Sequence, residues 1–308
     1  MTSPRFHGII PPLVTPMTAD GRVDHGALAA LVDHLLAAGV HGLFPLGSTG
    51  QVAYLTEADR RAVLATVSRA AAARVPVIAG AIDLTADRVI EGARALIDAG
   101  ADAIVATAPV YALNDETEIA DHFRRIAKAL PVPVFAYDIP VRVHRKLPAA
   151  LLVDLGREGV IVGVKDSSGD DVGFRRLIAA NRAAGRPLAL FTGHEVVVDA
   201  MALIGADGAV PGLANVDPGA YVRLWAAAQS GDLSRAVAEQ EHLSRLFEIV
   251  YAPAGRSGDA AGVGAFKAAM AELGLIPSAA MPAPLRGLDP AAVTAIRAIL
   301  RDVGLLAG

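Results

Sequence analysis

The chain has 308 residues, no cysteine, a formal net charge of −4, and 53% hydrophobic against 19% charged residues. That balance excludes a disordered chain, and the lack of cysteine excludes disulfides, zinc–thiolate sites and thiol nucleophiles. With no basic patch beyond local pairs such as Arg60-Arg61 and Arg175-Arg176, there is no electrostatic case for a nucleic-acid partner.

At the start, Met1-Thr2-Ser3-Pro4-Arg5 lacks the apolar core of a signal peptide. No apolar stretch reaches the roughly 20 residues that span a bilayer, so a cytoplasmic protein without a membrane partner is expected. Short apolar runs bounded by turn residues predict strands at 8–14, 42–46, 75–81, 103–106, 132–137, 160–165, 188–191 and 208–210. Helical periodicity fills the gaps at 24–38, 57–73, 86–99, 116–129, 148–155, 172–184, 196–204 and 218–228.

A loose repeat underlies this alternation. Ala38-Gly39-Val40-His41-Gly42-Leu43-Phe44, Ala99-Gly100-Ala101-Asp102-Ala103-Ile104-Val105 and Ile204-Gly205-Ala206-Asp207-Gly208-Ala209-Val210 each end a helix, cap it with glycine and enter a strand. Strand–helix units recurring in this way predict a (β/α)8 TIM barrel over residues 1–229. A doubly wound open sheet is the weaker alternative, because no Gly-x-Gly-x-x-Gly follows the first strand. Beyond it, helical runs at 233–250, 263–273 and 290–303, joined by proline- and glycine-rich pieces, predict a C-terminal all-helical extension, residues 230–308.

A barrel carries its chemistry at the C-terminal ends of its strands. The sixth predicted strand runs Val160-Ile161-Val162-Gly163-Val164-Lys165, and alternation puts Ile161, Gly163 and Lys165 on one face. An ammonium group on a buried face is costly, and a lysine made neutral by burial is a nucleophile able to form an imine with a carbonyl compound. Gly163 is expected to leave room for a substrate. Only four of the 28 basic residues are lysines (Lys128, Lys146, Lys165 and Lys267), which sets this one apart, although a strand-closing lysine that snorkels to solvent fits the same stretch.

Other strand ends add candidates. Gly47-Ser48-Thr49-Gly50 offers two hydroxyls and turn N–H groups to a carboxylate, or is an ordinary turn. Tyr137, in an apolar strand beside that of Lys165, is either core or a proton shuttle. Arg142, after Pro140, suits a second substrate carboxylate, or is merely solvated. The eight histidines show no metal-ligand spacing, and His194-Glu195 reads as the polar start of a helix.

In order and spacing, Gly47-Ser48-Thr49-Gly50, Tyr137-x-x-Pro140 and Gly163-Val164-Lys165-Asp166-Ser167-Ser168-Gly169-Asp170 resemble the dihydrodipicolinate synthase/N-acetylneuraminate lyase family of class I, pyruvate-dependent aldolases. The resemblance covers nearly the whole chain. It implies a barrel with a C-terminal helical domain, no cofactor or metal, and a homo-oligomer, commonly a dimer of dimers. By position, it implies that Lys165 forms the imine with pyruvate, Ser48 and Thr49 bind its carboxylate, and Tyr137 is the general acid/base. Tyr111 matches a relay tyrosine that reaches a neighbouring subunit's site, with Ser48 between it and Tyr137. Arg142 matches the arginine that binds an acceptor's carboxylate, and Gly193 and Val210 match backbone positions lining the pyruvate pocket.

The departures concern the acceptor. Gln51 replaces a usual glutamate, Ser48 a usual synthase threonine, Ala112 an asparagine, and Val143-His144 follow the arginine in place of threonine or serine and glycine. Ser48 and the stretch from Lys165 to Asp170 look more like the family's sugar-acid aldolases. The leading expectation is therefore a 2-keto-3-deoxy sugar-acid-type aldolase acting on pyruvate and an aldehyde. Alternatives are 4-hydroxy-tetrahydrodipicolinate synthase, which condenses pyruvate with aspartate semialdehyde, an imine-based dehydratase, and a catalytically silent paralogue.

Overall fold

The computed structural model describes residues 6–307; Met1–Arg5, the stretch that lacks a signal peptide's apolar core, lie outside the described residues. Seven parallel strands form one sheet among the described residues: β1 (Gly8–Ile9), β2 (Ile78–Gly80), β3 (Ala103–Thr107), β4 (Val134–Asp138), β5 (Gly163–Asp166), β6 (Ala189–Thr192) and β7 (Gly208–Ala209). Their order is β1-β7-β6-β5-β4-β3-β2.

The second predicted strand, 42–46, lies between the two ends of this sheet and joins them. Phe44 bridges Pro12 and Leu43 bridges Val77, both in parallel. Backbone bonds from His41 to Ile9, Phe44 to Pro11, Leu13 to Phe44, Ile78 to Leu43 and Gly80 to Pro45 continue the ladder on both sides. Pro11, Pro12, Pro45 and Pro76 have no N–H to donate, so the segment pairs through isolated bridges rather than a regular strand. The barrel is closed there by sequence chemistry that interrupts the ladder without opening the wall.

Outside the strands pack α1 (His25–Ala37), α2 (Glu57–Ala71), α3 (Ala86–Asp98), α4 (Glu116–Ala129), α5 (Pro140–Val143), α6 (Ala149–Arg157), α7 (Asp171–Ala183), α8 (Val198–Ile204) and α9 (Pro218–Ser230). The repeat glycines behave as the sequence requires: Gly39, Gly100 and Gly205 end their helices at φ of 86°, 107° and 106°, where a side chain would be strained. The short α5 was not anticipated, because Pro140 reads as a stop although it suits the first turn of a helix.

Two clusters make the core. The larger lies between the wall and its helices; the smaller fills the barrel with Ile10, Phe44, Val105, Phe135, Tyr137 and Phe191 among others. Here one expectation fails. A side chain at Gly163 would meet the Phe135 ring at 2.4 Å, so the space above this glycine holds an aromatic ring and not a substrate. Nor does the alternation extend to Ile161, which precedes β5 and packs in the outer cluster.

The remaining helices are α10 (Leu233–Phe247), α11 (Gly258–Glu272) and α12 (Pro290–Asp302). α10 packs on α8 and α9, while α11 lies against the turn Gly212–Asn215 that follows β7. No helix among the described residues is long and apolar enough to cross a membrane.

Candidate active site

β4 and β5 pair so that Tyr137 faces Lys165 and Asp138 faces Asp166. Alternation sends the first pair into the barrel and the second outward. Lys165 is only 6% exposed, so it does not snorkel to solvent. Its Nζ donates to Tyr137 Oη at 3.1 Å and lies 4.2 Å from the Tyr137 ring centre and 4.8 Å from that of Phe44. Phe44 in turn meets Tyr137 edge-on, with centroids 6.2 Å apart, which fixes the phenol's orientation.

Burial alone would push the Tyr137 phenol up. The Lys165 charge and hydrogen bonds with Ser48, Lys165 and Ser167 outweigh it, and the phenol is held below its ordinary value. Ser48 thus reaches this centre from the opposite wall, with Thr49 partly buried in the same turn. Leu46 and Gln51, on either side, both adopt positive φ (63° and 58°), a conformation non-glycine residues avoid and one that marks a backbone held by its surroundings.

What holds it is a second buried lysine. Lys267 on α11 is fully enclosed, and its Nζ donates to Gln51 Oε1 at 2.7 Å and to the Ala280 carbonyl at 3.0 Å. Neither acceptor carries a charge, and burial pushes the ammonium down to about 7. Since an unfolded lysine titrates near 10.4, the cost of charging it in the fold is complete below pH 7 and fades as pH rises toward that value. Gln51→Glu supplies that charge with a partner but buries a carboxylate as well, so the expected net gain at pH 6 is about 1 kcal/mol. For a chain of this size that raises the thermal midpoint by about 2 °C, with a smaller gain at pH 9. Calorimetry at the two pH values checks it; equal gains would show that Lys267 is not the group responsible.

Behind the strand ends, Lys146 donates to Asp138 and, at 2.9 Å, to Asp166 Oδ2. Burial pushes the Asp138 carboxyl up to about 6 despite that partner. Sequence reasoning counted Lys146 among the lysines without giving it a role; two acids on adjacent strand ends are the signal that points to it.

The other candidates fall as follows. Val210 lies in the barrel interior with Tyr137, its N–H bonded to Thr192. Gly193 donates its N–H to the Asp166 carbonyl and packs on Ser167, where a Cβ would sit 2.1 Å from Oγ. Tyr111 stands apart: it is 88% exposed at φ 76°, away from Lys165 within one chain. Arg142, on α5, lines a cavity of about 150 Å³ with Ser48, Thr107, Ile139, Val143 and Asp259.

His194 and Glu195 do not start a helix. The helix begins at Val198, and its preceding residue Val197 makes no side-chain cap. His194 Nδ1 pairs with Asp171 at 3.0 Å, while Glu195 accepts the N–H groups of Gly212 and of Leu213, the latter at 3.0 Å. Burial pushes the Glu195 carboxyl up to about 7 against the pull of those two N–H groups and of the Lys165 and His194 charges. No local spacing signals this; only the fold brings residue 195 to the turn after β7.

An amine and a phenol sharing a hydrogen bond inside a barrel, at the C-terminal ends of adjacent strands, define a class of catalyst: lyases that work through a lysine imine. The comparisons with known proteins give the particular family. The Dihydrodipicolinate synthetase family matches residues 5–303. The 4-hydroxy-tetrahydrodipicolinate synthase of Phenylobacterium zucineum (strain HLK1) is 33% identical over 308 residues, covering 99% of this chain and 100% of its own. An uncharacterized DapA-like lyase of Halobacterium salinarum is 35% identical, covering 98% and 95%. Among solved structures, YagE, a prophage protein of the dihydrodipicolinic acid synthase family from E. coli K12 in complex with pyruvate, aligns with a TM-score of 0.92 at 29% identity, over 98% of this chain and 99% of that one. The chain belongs to the dihydrodipicolinate synthase family and is a class I aldolase/lyase on a (β/α)8 barrel.

Proposed function

We propose that Lys165 captures pyruvate as an imine and that the derived enamine makes or breaks a C–C bond with an aldehyde. The carrying observation is the 3.1 Å contact between Lys165 Nζ and Tyr137 Oη in a buried setting. The amine attacks the C2 carbonyl of pyruvate, and the carbinolamine loses water to give the imine. Loss of a C3 proton yields the enamine, whose C3 attacks the aldehyde carbon; hydrolysis then frees the product and restores the amine. Tyr137, with Ser48 beside it, is suited to carry protons to the carbinolamine and to the new hydroxyl. Ser48 and Thr49 would take the pyruvate carboxylate, with Gly193 and Val210 lining that end.

The acceptor reading is a sugar-type aldehyde, giving a 2-keto-3-deoxy sugar acid. It is supported by Ser48, by the stretch from Lys165 to Asp170, and by the loss of the synthase pattern at Ala112 and Val143-His144. The second reading is 4-hydroxy-tetrahydrodipicolinate synthase, favoured by Arg142 in the cavity and by the activity of the Phenylobacterium relative. We take the protein as cytoplasmic, with residues 230–308 as a helical domain, and as a homo-oligomer in which exposed Tyr111 and Leu113 meet a second copy. A panel of aldehydes offered with pyruvate separates the readings: faster product formation from glyceraldehyde than from aspartate semialdehyde supports the first, and the reverse supports the second.

A further inference from the structure

Arg142 is not an unoccupied guanidinium. Asp259, in the first turn of α11, sets its carboxylate against both terminal nitrogens of Arg142, with Nη1 to Oδ2 at 3.1 Å. The phenol of Tyr54 donates to Oδ2 of the same carboxylate at 3.2 Å. The two-point geometry is the one a substrate carboxylate would adopt on an arginine. Asp259 is also favoured at this place, because a helix N-terminus attracts an anion. Its side chain is 24% exposed and that of Arg142 44%, so the pair forms at the rim of the cavity and not in bulk solvent. An acceptor with its own carboxylate must either displace Asp259, leaving that charge unpaired, or join it as a second negative charge on one cation.

A second observation comes from the adjacent strand, β3, which pairs with β4. Thr107, the last residue of β3, lines the same cavity and is 2% exposed. Its Oγ1 is buried with no hydrogen-bond partner. A buried hydroxyl left unpaired costs free energy that a ligand hydroxyl can recover. Within one cavity, then, the cation is already neutralised and a nearby strand end carries a polar atom that waits for an uncharged partner.

We propose that Asp259 and Thr107 are specificity-determining residues, Asp259 occupying Arg142 against carboxylated acceptors and Thr107 binding a hydroxyl of a neutral aldehyde. The inference rests on the reading above, that an enamine on Lys165 meets its acceptor in this cavity. The test measures kcat/KM with pyruvate for glyceraldehyde, propanal and succinic semialdehyde, in the wild type and in two variants. The wild type is expected to favour glyceraldehyde over succinic semialdehyde. Asp259→Asn should raise the ratio of succinic semialdehyde to glyceraldehyde by about tenfold to a hundredfold, the range for a hydrogen bond to a charged group. Thr107→Val, near-isosteric, should lower the ratio of glyceraldehyde to propanal by about tenfold. Because each readout is a ratio within one protein, a merely structural change that slows all acceptors does not move it. Unshifted ratios in both variants, or a wild type that prefers the carboxylated aldehyde, would overturn the proposal. Failure of the wild type to form a reducible adduct with pyruvate would instead sink the imine reading beneath it.

Discussion

Replacing Lys165 with alanine is expected to abolish turnover, a loss of at least about four orders of magnitude in kcat, because the proposed covalent step runs through the amine that shares the barrel interior with Tyr137. The second buried amine, Lys267, is no substitute, being committed to Gln51 and the Ala280 carbonyl. The fold should survive, since the neighbours of Lys165 are aromatic rings that pack on one another: Phe44 on Tyr137, and Phe135 on Phe191 at 6.1 Å. One spectroscopic change should accompany the loss. With the lysine charge gone, burial is the dominant influence left on Tyr137, so its phenol should titrate at higher pH than in the wild type. Ultraviolet titration of the variant checks the direction; a phenol that does not move would mean the two groups are not coupled.

Tyr137→Phe is expected to cut kcat by about two to four orders of magnitude, the usual weight of a positioned proton donor. Imine formation with pyruvate should become slower but remain detectable, because the amine is untouched. The pH profile supplies an independent check. The phenol must be protonated to donate, and its environment holds it below the ordinary tyrosine value. The alkaline limb of the wild-type profile should therefore begin earlier than an unperturbed tyrosine would give, and that limb should be lost in the variant. Stopped-flow assays across pH decide this; an unchanged limb would assign the proton transfer elsewhere.

Much of the barrel could be read from the chain because its signals are local. The three helix–glycine–strand repeats and the apolar runs each report a few residues at a time, and the glycines then fall at positive φ. The segment 42–46 shows the limit: hydrophobic pattern reveals a strand, but the prolines that reduce it to two bridges lie mainly on its neighbours. Lys165 and Tyr137 were legible because both end apolar strands, and their contact follows from pairing adjacent strands in register. The Phe135 ring over Gly163 was not legible, since it depends on which rotamer fills the barrel interior. Asp259, Glu195 and Lys267 were also hidden. Each meets its partner across more than a hundred residues or on an irregular turn, and no spacing in a single chain encodes that.

The central claim is that one particular amine captures pyruvate, and peptide mapping after reduction addresses it most directly. The wild-type protein, incubated with pyruvate and borohydride and then digested, should carry one reduced pyruvate on the peptide containing Lys165 and none on those containing Lys146 or Lys267. An adduct on either of those lysines, or no adduct at all, would contradict the account.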